Sequence, residues 1–161
     1  MMPTNMRVLA IDPGYDRLGV AVLDKNLKNG DLLFSTCIIT EKADDFSVRM
    51  KHIAHEVENL LLRYKPTIVA LERLYFNTNQ KTALQVAEVR GVMVYLAKTH
   101  SCTLVEYTPQ EIKVAVTGYG KSDKKQVAFM VKRLIANVKE GALDDEYDAI
   151  AIGITALARE R

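Results

Sequence analysis

An apolar run that ends in an acid and then folds back on itself constrains this chain more than any other feature. Val8-Leu-Ala-Ile11 leads directly into Asp12, Pro13-Gly14 follows, and a second apolar run extends from Leu18 to Leu23. The pattern predicts a β-hairpin whose first strand delivers a carboxylate to its C-terminal end, with Gly14 permitting a tight turn. An acid placed directly after a buried strand is held still at the lip of a sheet.

The rest of the chain alternates strand and helix signals. A third strand is predicted from Asp31 to Thr40, after a turn at Lys25–Gly30. Ser47 to Tyr64 carries Val48, Ile53, Val57, Leu60 and Leu61 at helical spacing, and Pro66 ends it. Thr67-Ile-Val-Ala-Leu71 is too short for a helix, reads as a second buried strand and again ends in an acid, Glu72. A long helix is predicted from about Asn79 to Lys98 with two apolar stripes. One holds Leu84, Ala87, Gly91 and Tyr95; the other holds Val86, Val89, Met93 and Leu96. Such a helix is either sandwiched in the core or packs on a second subunit. Thr103 to Tyr107 is the last strand. Thr108-Pro-Gln-Glu111 has the signature of a capped helix start. Gly118–Ser122 breaks that helix, Asp123 to Ile135 forms the next, and an apolar helix from Ala149 to Leu157 follows Asp144–Asp148. The order predicts an α/β fold with a mixed five-stranded sheet, an antiparallel meander joined to parallel strands by helical crossovers.

Composition excludes several classes. At 161 residues, 48% hydrophobic and 26% charged, the chain has the make-up of one soluble globular domain. Its formal charge of +2 means that affinity for a polyanion must come from local patches. The two cysteines, Cys37 and Cys102, sit far apart inside apolar runs and read as buried free thiols of a reducing compartment. Nor do the three histidines form a metal-like cluster. No run approaches the roughly 20 apolar residues of a membrane span. Met1–Asn5 lacks the basic-then-apolar pattern of a signal peptide and is read as a disordered extension. The expectation is a cytoplasmic protein.

Asp12 and Glu72 each close an apolar strand, so neighbouring central strands would bring them together. Asp145 and Asp148, spaced i, i+3 at a helix start, project from one face. Four converging carboxylates repel, and bound cation is the natural compensation. Oxygen-only ligation suits Mg²⁺ or its substitute Mn²⁺, with no His/Cys set competing for zinc. Two such ions about 4 Å apart activate a water and stabilise the leaving oxygen of a phosphodiester. Each acid also has a purely structural alternative: Asp12 as a turn cap, Glu72 as a loop residue, Asp145 and Asp148 as N-cap and first-turn charge. Between Lys113 and Arg133 the chain concentrates Lys113, Lys121, Lys124, Lys125, Lys132 and Arg133 against Asp123 alone. That patch suits phosphate contact, which gives affinity without sequence information. Lys132 and Arg133 equally well form an ordinary solvated face. Tyr75-Phe-Asn-Thr-Asn79 interleaves aromatics with amides directly after Glu72, and reads either as a base-stacking wedge or as aromatics tucked under a loop.

In order and spacing, Ala10-Ile-Asp-Pro-Gly14, Leu71-Glu-Arg-Leu-Tyr-Phe76, Ala87-Glu-Val-Arg-Gly91 and Asp145-x-x-Asp-Ala-Ile-Ala-Ile152 resemble the bacterial Holliday-junction resolvase family RuvC. The likeness runs from Met6 to about Ala158. It implies an RNase H-like nuclease domain over residues 6–161, a homodimer, and Mg²⁺-dependent nicking of two opposed strands at a four-way DNA junction. It also implies catalytic roles for Asp12, Glu72, Asp145 and Asp148. The family's strand-unstacking aromatic falls on Tyr75, where better-known members have Phe, and Phe76 is its rival. Family lysines match Lys113 and Lys124. A branch-migration helicase complex is the partner expected by analogy. Leu84, Ala87 and Gly91 of the two-faced helix are the candidate dimer contact, since a two-fold junction suits an isologous dimer. Three other readings compete with it: a pre-ribosomal RNA processing nuclease, an ASKHA-type kinase or ATPase, and a junction-binding scaffold without chemistry. The first generally lacks the Glu-x-x-aromatic and basic-loop register, the second needs a further Gly-rich phosphate loop, and four intact acids argue against the third.

Overall fold

Alternation along the strands decides which way each acid points. The computed structural model describes residues 6–25, 30–74 and 80–160. Met1–Asn5, most of the turn after the second strand, and the segment carrying Tyr75 and Phe76 lie outside the described residues. Strands β1 (Arg7–Asp12), β2 (Arg17–Asp24) and β3 (Asp31–Ile39) form an antiparallel meander. β4 (Ile68–Glu72) pairs parallel to β1, and β5 (Thr103–Tyr107) pairs parallel to β4. The sheet order is β3-β2-β1-β4-β5, so the two acid-tipped strands are neighbours at its centre.

Each face of the sheet carries its own core. Leu9 and Ile11 of β1, Val20 and Val22 of β2, and Val69 and Leu71 of β4 face helices α1 (Phe46–Tyr64) and α2 (Gln80–Thr99). The alternate residues Val8, Ala10, Ala21, Leu23, Ile68 and Ala70 face α3 (Pro109–Thr117), α4 (Lys124–Leu134) and α5 (Asp144–Arg159). Asp12 and Glu72 continue this second register, so both carboxylates fall on the α5 face.

α5 is buried from Ala149 to Leu157, because alanines beneath it let its backbone come close to the sheet. It begins at Asp144, five residues before the apolar stretch that marks it in the sequence, so Asp145 and Asp148 lie in its first turns. Its approach is tightest at Gly19, where an added Cβ would lie 1.8 Å from the Asp145 carbonyl oxygen. Gly14 is required for a related reason: a Cβ there would stand 2.2 Å from the Arg17 carbonyl oxygen across the turn.

Local signals set the helix ends. Thr108 and Glu111 form the expected capping box, and Asp123 forms a second one with Gln126. Lys65, in the left-handed conformation at φ 48°, closes α1 just before Pro66. Of the two stripes on α2, Val89, Met93 and Leu96 are buried, whereas Leu84 and Tyr95 are 69% and 67% exposed. The helix is therefore not sandwiched within this chain. Of the two cysteines only Cys102 is buried; Cys37, on edge strand β3, is half-buried, which corrects the expectation of two buried thiols.

Gly19→Ala is expected to destabilise the protein by about 2–3 kcal/mol, since the new methyl meets backbone that cannot rotate away. Gly153→Ala would clash with the Leu23 Cδ1 methyl at 2.3 Å, a movable side-chain end, and otherwise touch the Ala10 Cβ and Leu23 Cγ at 3.4 Å. It also gains about 1 kcal/mol of helix propensity. Urea unfolding of both variants checks the order; an equal or larger loss for Gly153→Ala would contradict it.

Candidate active site

Three separate elements bring the four predicted acids to one cleft. Asp12 ends β1, Glu72 ends β4, and Asp145 and Asp148 come from the first turns of α5. Together with Lys113 and Lys124 they line a cavity of about 390 Å³. The helix-capping alternative for Asp145 and Asp148 does not hold. Leu143 is the N-cap of α5, and no side chain caps that end by a hydrogen bond. The acidic first turn still suits the positive end of the helix dipole.

The loop after Asp12 is tied down from α1. Arg49 is 8% exposed, donates from Nε to Thr40 Oγ1 at 2.9 Å, and donates from Nη2 to the Tyr15 carbonyl at 3.2 Å. It also pairs with Asp16 and stacks on the Tyr15 ring at 4.9 Å. On the other side, the buried Glu146 accepts a hydrogen bond of 2.5 Å from Ser35 Oγ, and Lys139 Nζ lies 3.8 Å away. This links the start of α5 to β3 between the two acids that α5 contributes.

Crowding acids in a buried place makes their charged forms costly. Burial first, then Asp148, Glu72 and Asp145, push the Asp12 carboxyl up to about 8, with Lys124 opposing. Burial also raises Glu72, and Asp148 adds to it while Lys124 and Lys113 oppose. Asp148 is raised by burial and eased by Lys124, whose Nζ lies 3.7 Å from Asp148 Oδ2. Asp145 has a cation that the sequence did not reveal: Arg17 Nε lies 3.1 Å from Asp145 Oδ2.

Among the described residues, no three acids, histidines or cysteines are drawn into a closed metal cage. The acids instead ring the cleft, two of them facing a cation. The donor set nevertheless fits a hard divalent ion. It is all oxygen, and Asp145 Oδ2 is buried without a hydrogen-bond partner.

The remaining candidates divide. Lys113 and Lys124 lie in the cleft. Lys125 instead lines a second cavity, of about 540 Å³, with Tyr119 and Phe129. Lys121 lies in the neighbouring loop between α3 and α4 and is absent from the lining of both cavities. Arg90 is engaged by Glu106 rather than turned to the cleft. Ala87 is half-buried and Gly91 exposed on α2. Arg17 and Glu146 are the residues that sequence reasoning missed.

A mixed five-stranded sheet carrying acids at the ends of adjacent strands defines an RNase H-like fold. The family described as "Crossover junction endodeoxyribonuclease RuvC" matches residues 8–156, and the chain belongs to that family. A Petrotoga mobilis relative of that name is 41% identical over 146 residues, covering 91% of this chain and 90% of the relative. One from Alkaliphilus oremlandii is 40% identical over 149 residues, covering 92% and 91%. The Thermus thermophilus RuvC structure superposes with a TM-score of 0.85 at 28% identity, covering 93% of this chain and 92% of that one. The same protein in complex with Holliday junction substrate gives 0.86 at 28% identity, with the same coverage.

The raised carboxyls set a pH dependence. Unfolded carboxylates titrate near about 4. Between there and about 8, the folded chain holds more protons than the unfolded one, so stability falls as pH rises through that window. In EDTA the melting temperature is expected to drop from pH 5 to pH 8.5, and Asp12→Asn to flatten the drop. A wild-type profile that rises or matches Asp12→Asn would refute this.

Proposed function

We propose that this protein, a resolvase of Holliday junctions in DNA recombination and repair, works by metal-assisted phosphodiester hydrolysis at the cleft of Asp12, Glu72, Asp145 and Asp148. One observation carries the reading. Four carboxylates from three elements share one partly buried cleft, where burial and the neighbouring acids push the Asp12 carboxyl up to about 8. Such an arrangement favours binding of positive charge over any structural use of the acids.

The four acids would hold two Mg²⁺ ions, with Mn²⁺ as a substitute. Bound there, the ions supply an activated water and stabilise the leaving oxygen. The chain's own residues do the rest. Asp12 must give up its proton for the site to load, so metal affinity rises with pH. Lys113 and Lys124, on the rim of the same cleft, attract the scissile phosphate and offset charge building on it. Lys121 and Lys125, displaced from the cleft, suit phosphates further along the strand. Tyr75 or Phe76 serves as the wedge that unstacks the base beside the cut.

Paired nicks need two sites related by two-fold symmetry, which a homodimer provides. The exposed α2 stripe of Leu84, Gly91 and Tyr95 supports placing the dimer contact there. A branch-migration helicase complex is the partner to which such a dimer would answer. No helix among the described residues is long and apolar enough to cross a membrane.

Cleavage of a synthetic four-way junction beside linear duplex of the same sequence tests the reading. Paired nicks confined to the junction are expected with Mg²⁺, lost in EDTA and reduced about a hundredfold or more in Asp12→Asn. Equal cutting of the duplex, or cutting by Asp12→Asn at the wild-type rate, would overturn it. Lys113→Ala and Lys124→Ala should each lower the salt slope of junction binding by about one, read by fluorescence anisotropy from 50 to 200 mM salt. Sedimentation at micromolar concentration should show a dimer that Leu84→Asp converts to monomer, with loss of paired nicks; a monomeric wild type would refute the dimer.

A further inference from the structure

Arg17 stands where the sheet meets the acids, and the strand register puts it there. It opens β2 two residues before Gly19, so the two share a face of the sheet. That face carries Asp12, which pairs directly with Gly19, and it lies against the main chain of Asp145. From this position the Arg17 side chain reaches the start of α5. Its Nε stops 3.1 Å from Asp145 Oδ2, and that oxygen is buried with no hydrogen bond. The contact is thus attraction between charges without the directed bond that would make it a settled structural pair.

Neighbouring groups do not take this place. Cys37, opposite Gly19 on β3, is kept a neutral thiol by burial and by Asp145 itself. Lys139 is committed to the Ser35 carbonyl at 2.8 Å and to Glu146. Lys124 serves Asp148. Among the described residues, Arg17 is the cation paired with Asp145.

We propose that Arg17 is an internal cation that occupies Asp145 in the metal-free site and is exchanged for the divalent ion when the site loads. This rests on the metal-nuclease reading above. A guanidinium cannot shed its charge by losing a proton, so it cannot share one carboxylate oxygen with a divalent ion without strong repulsion. The Asp145 side chain is 23% exposed, whereas that of Arg17 is 50% exposed and can swing outward. Arg17 therefore steadies the empty site and sets a threshold for metal. The acids are kept from flying apart before loading, and only an ion that outcompetes the guanidinium takes Asp145.

Isothermal titration of EDTA-stripped protein with Mn²⁺, without DNA, tests the exchange. Arg17→Gln should take Mn²⁺ about fivefold or more tightly than wild type, while melting lower than wild type in EDTA. Its melting temperature should rise more on adding Mn²⁺. Arg17→Lys, which keeps the charge, should stay closer to wild type in affinity than Arg17→Gln does. Equal or weaker Mn²⁺ binding by Arg17→Gln overturns the proposal alone, as does the same tightening in Arg17→Lys. A wild type that takes no Mn²⁺ overturns both this proposal and the metal reading beneath it.

Discussion

The seating of α5 on the small residues of the central strands is the contact on which the rest of the molecule depends. Ala10, Ala21 and Ala70 leave room for the helix, and Gly19 lets its first turn touch β2. Close packing of this kind leaves little freedom for repositioning, since a methyl added at Gly19 meets backbone. Two of the four acids, Asp145 and Asp148, ride on the first two turns of α5. The precision of the cleft is therefore a consequence of core packing, and the side chains around the acids refine what the backbone has already placed.

That packing forces together groups that repel. Burial and mutual repulsion raise the carboxyls of Asp12, Glu72 and Asp148 from their ordinary values, so the cleft concentrates charge that is costly without a compensating cation. The chain answers with cations of two kinds. Lys124, on a separate helix, is well exposed and leans toward Asp148; Arg17, on the sheet, meets Asp145 from below. The buried Glu146 adds a third device, fixing the helix start to β3 through Ser35. Charge balance at the acids and the tie of the helix start to β3 thus involve different residues.

Much of the site was legible because its acids stand at element ends, where sequence patterns are clearest. Asp12 and Glu72 each follow a short, continuous apolar run, that before Glu72 being too short for a helix, and a central location for both strands makes them neighbours. Asp145 and Asp148 show the i, i+3 spacing of one helix face. The structure corrected that reading only in detail, by starting α5 at Asp144 and giving the cap to Leu143. The basic stretch was legible as a patch but not as a geometry. Lys124 and Lys125 are adjacent in sequence, yet the helix sends one into the acid cleft and the other toward Tyr119 and Phe129.

The sequence by itself determined the strand and helix order, the four acids and the family motifs, because each is written in local periodicity or fixed spacing. Only the tertiary structure decided that Arg17 faces Asp145, that Glu146 is buried against Ser35, that Cys37 is half-buried, and that Leu84 and Tyr95 lie open on α2. These facts depend on the register between strands distant in sequence and on which helix face the sheet covers. Neither quantity has a local signature. A one-residue slip between β1 and β2 would keep every motif intact and turn Arg17 away from the acids.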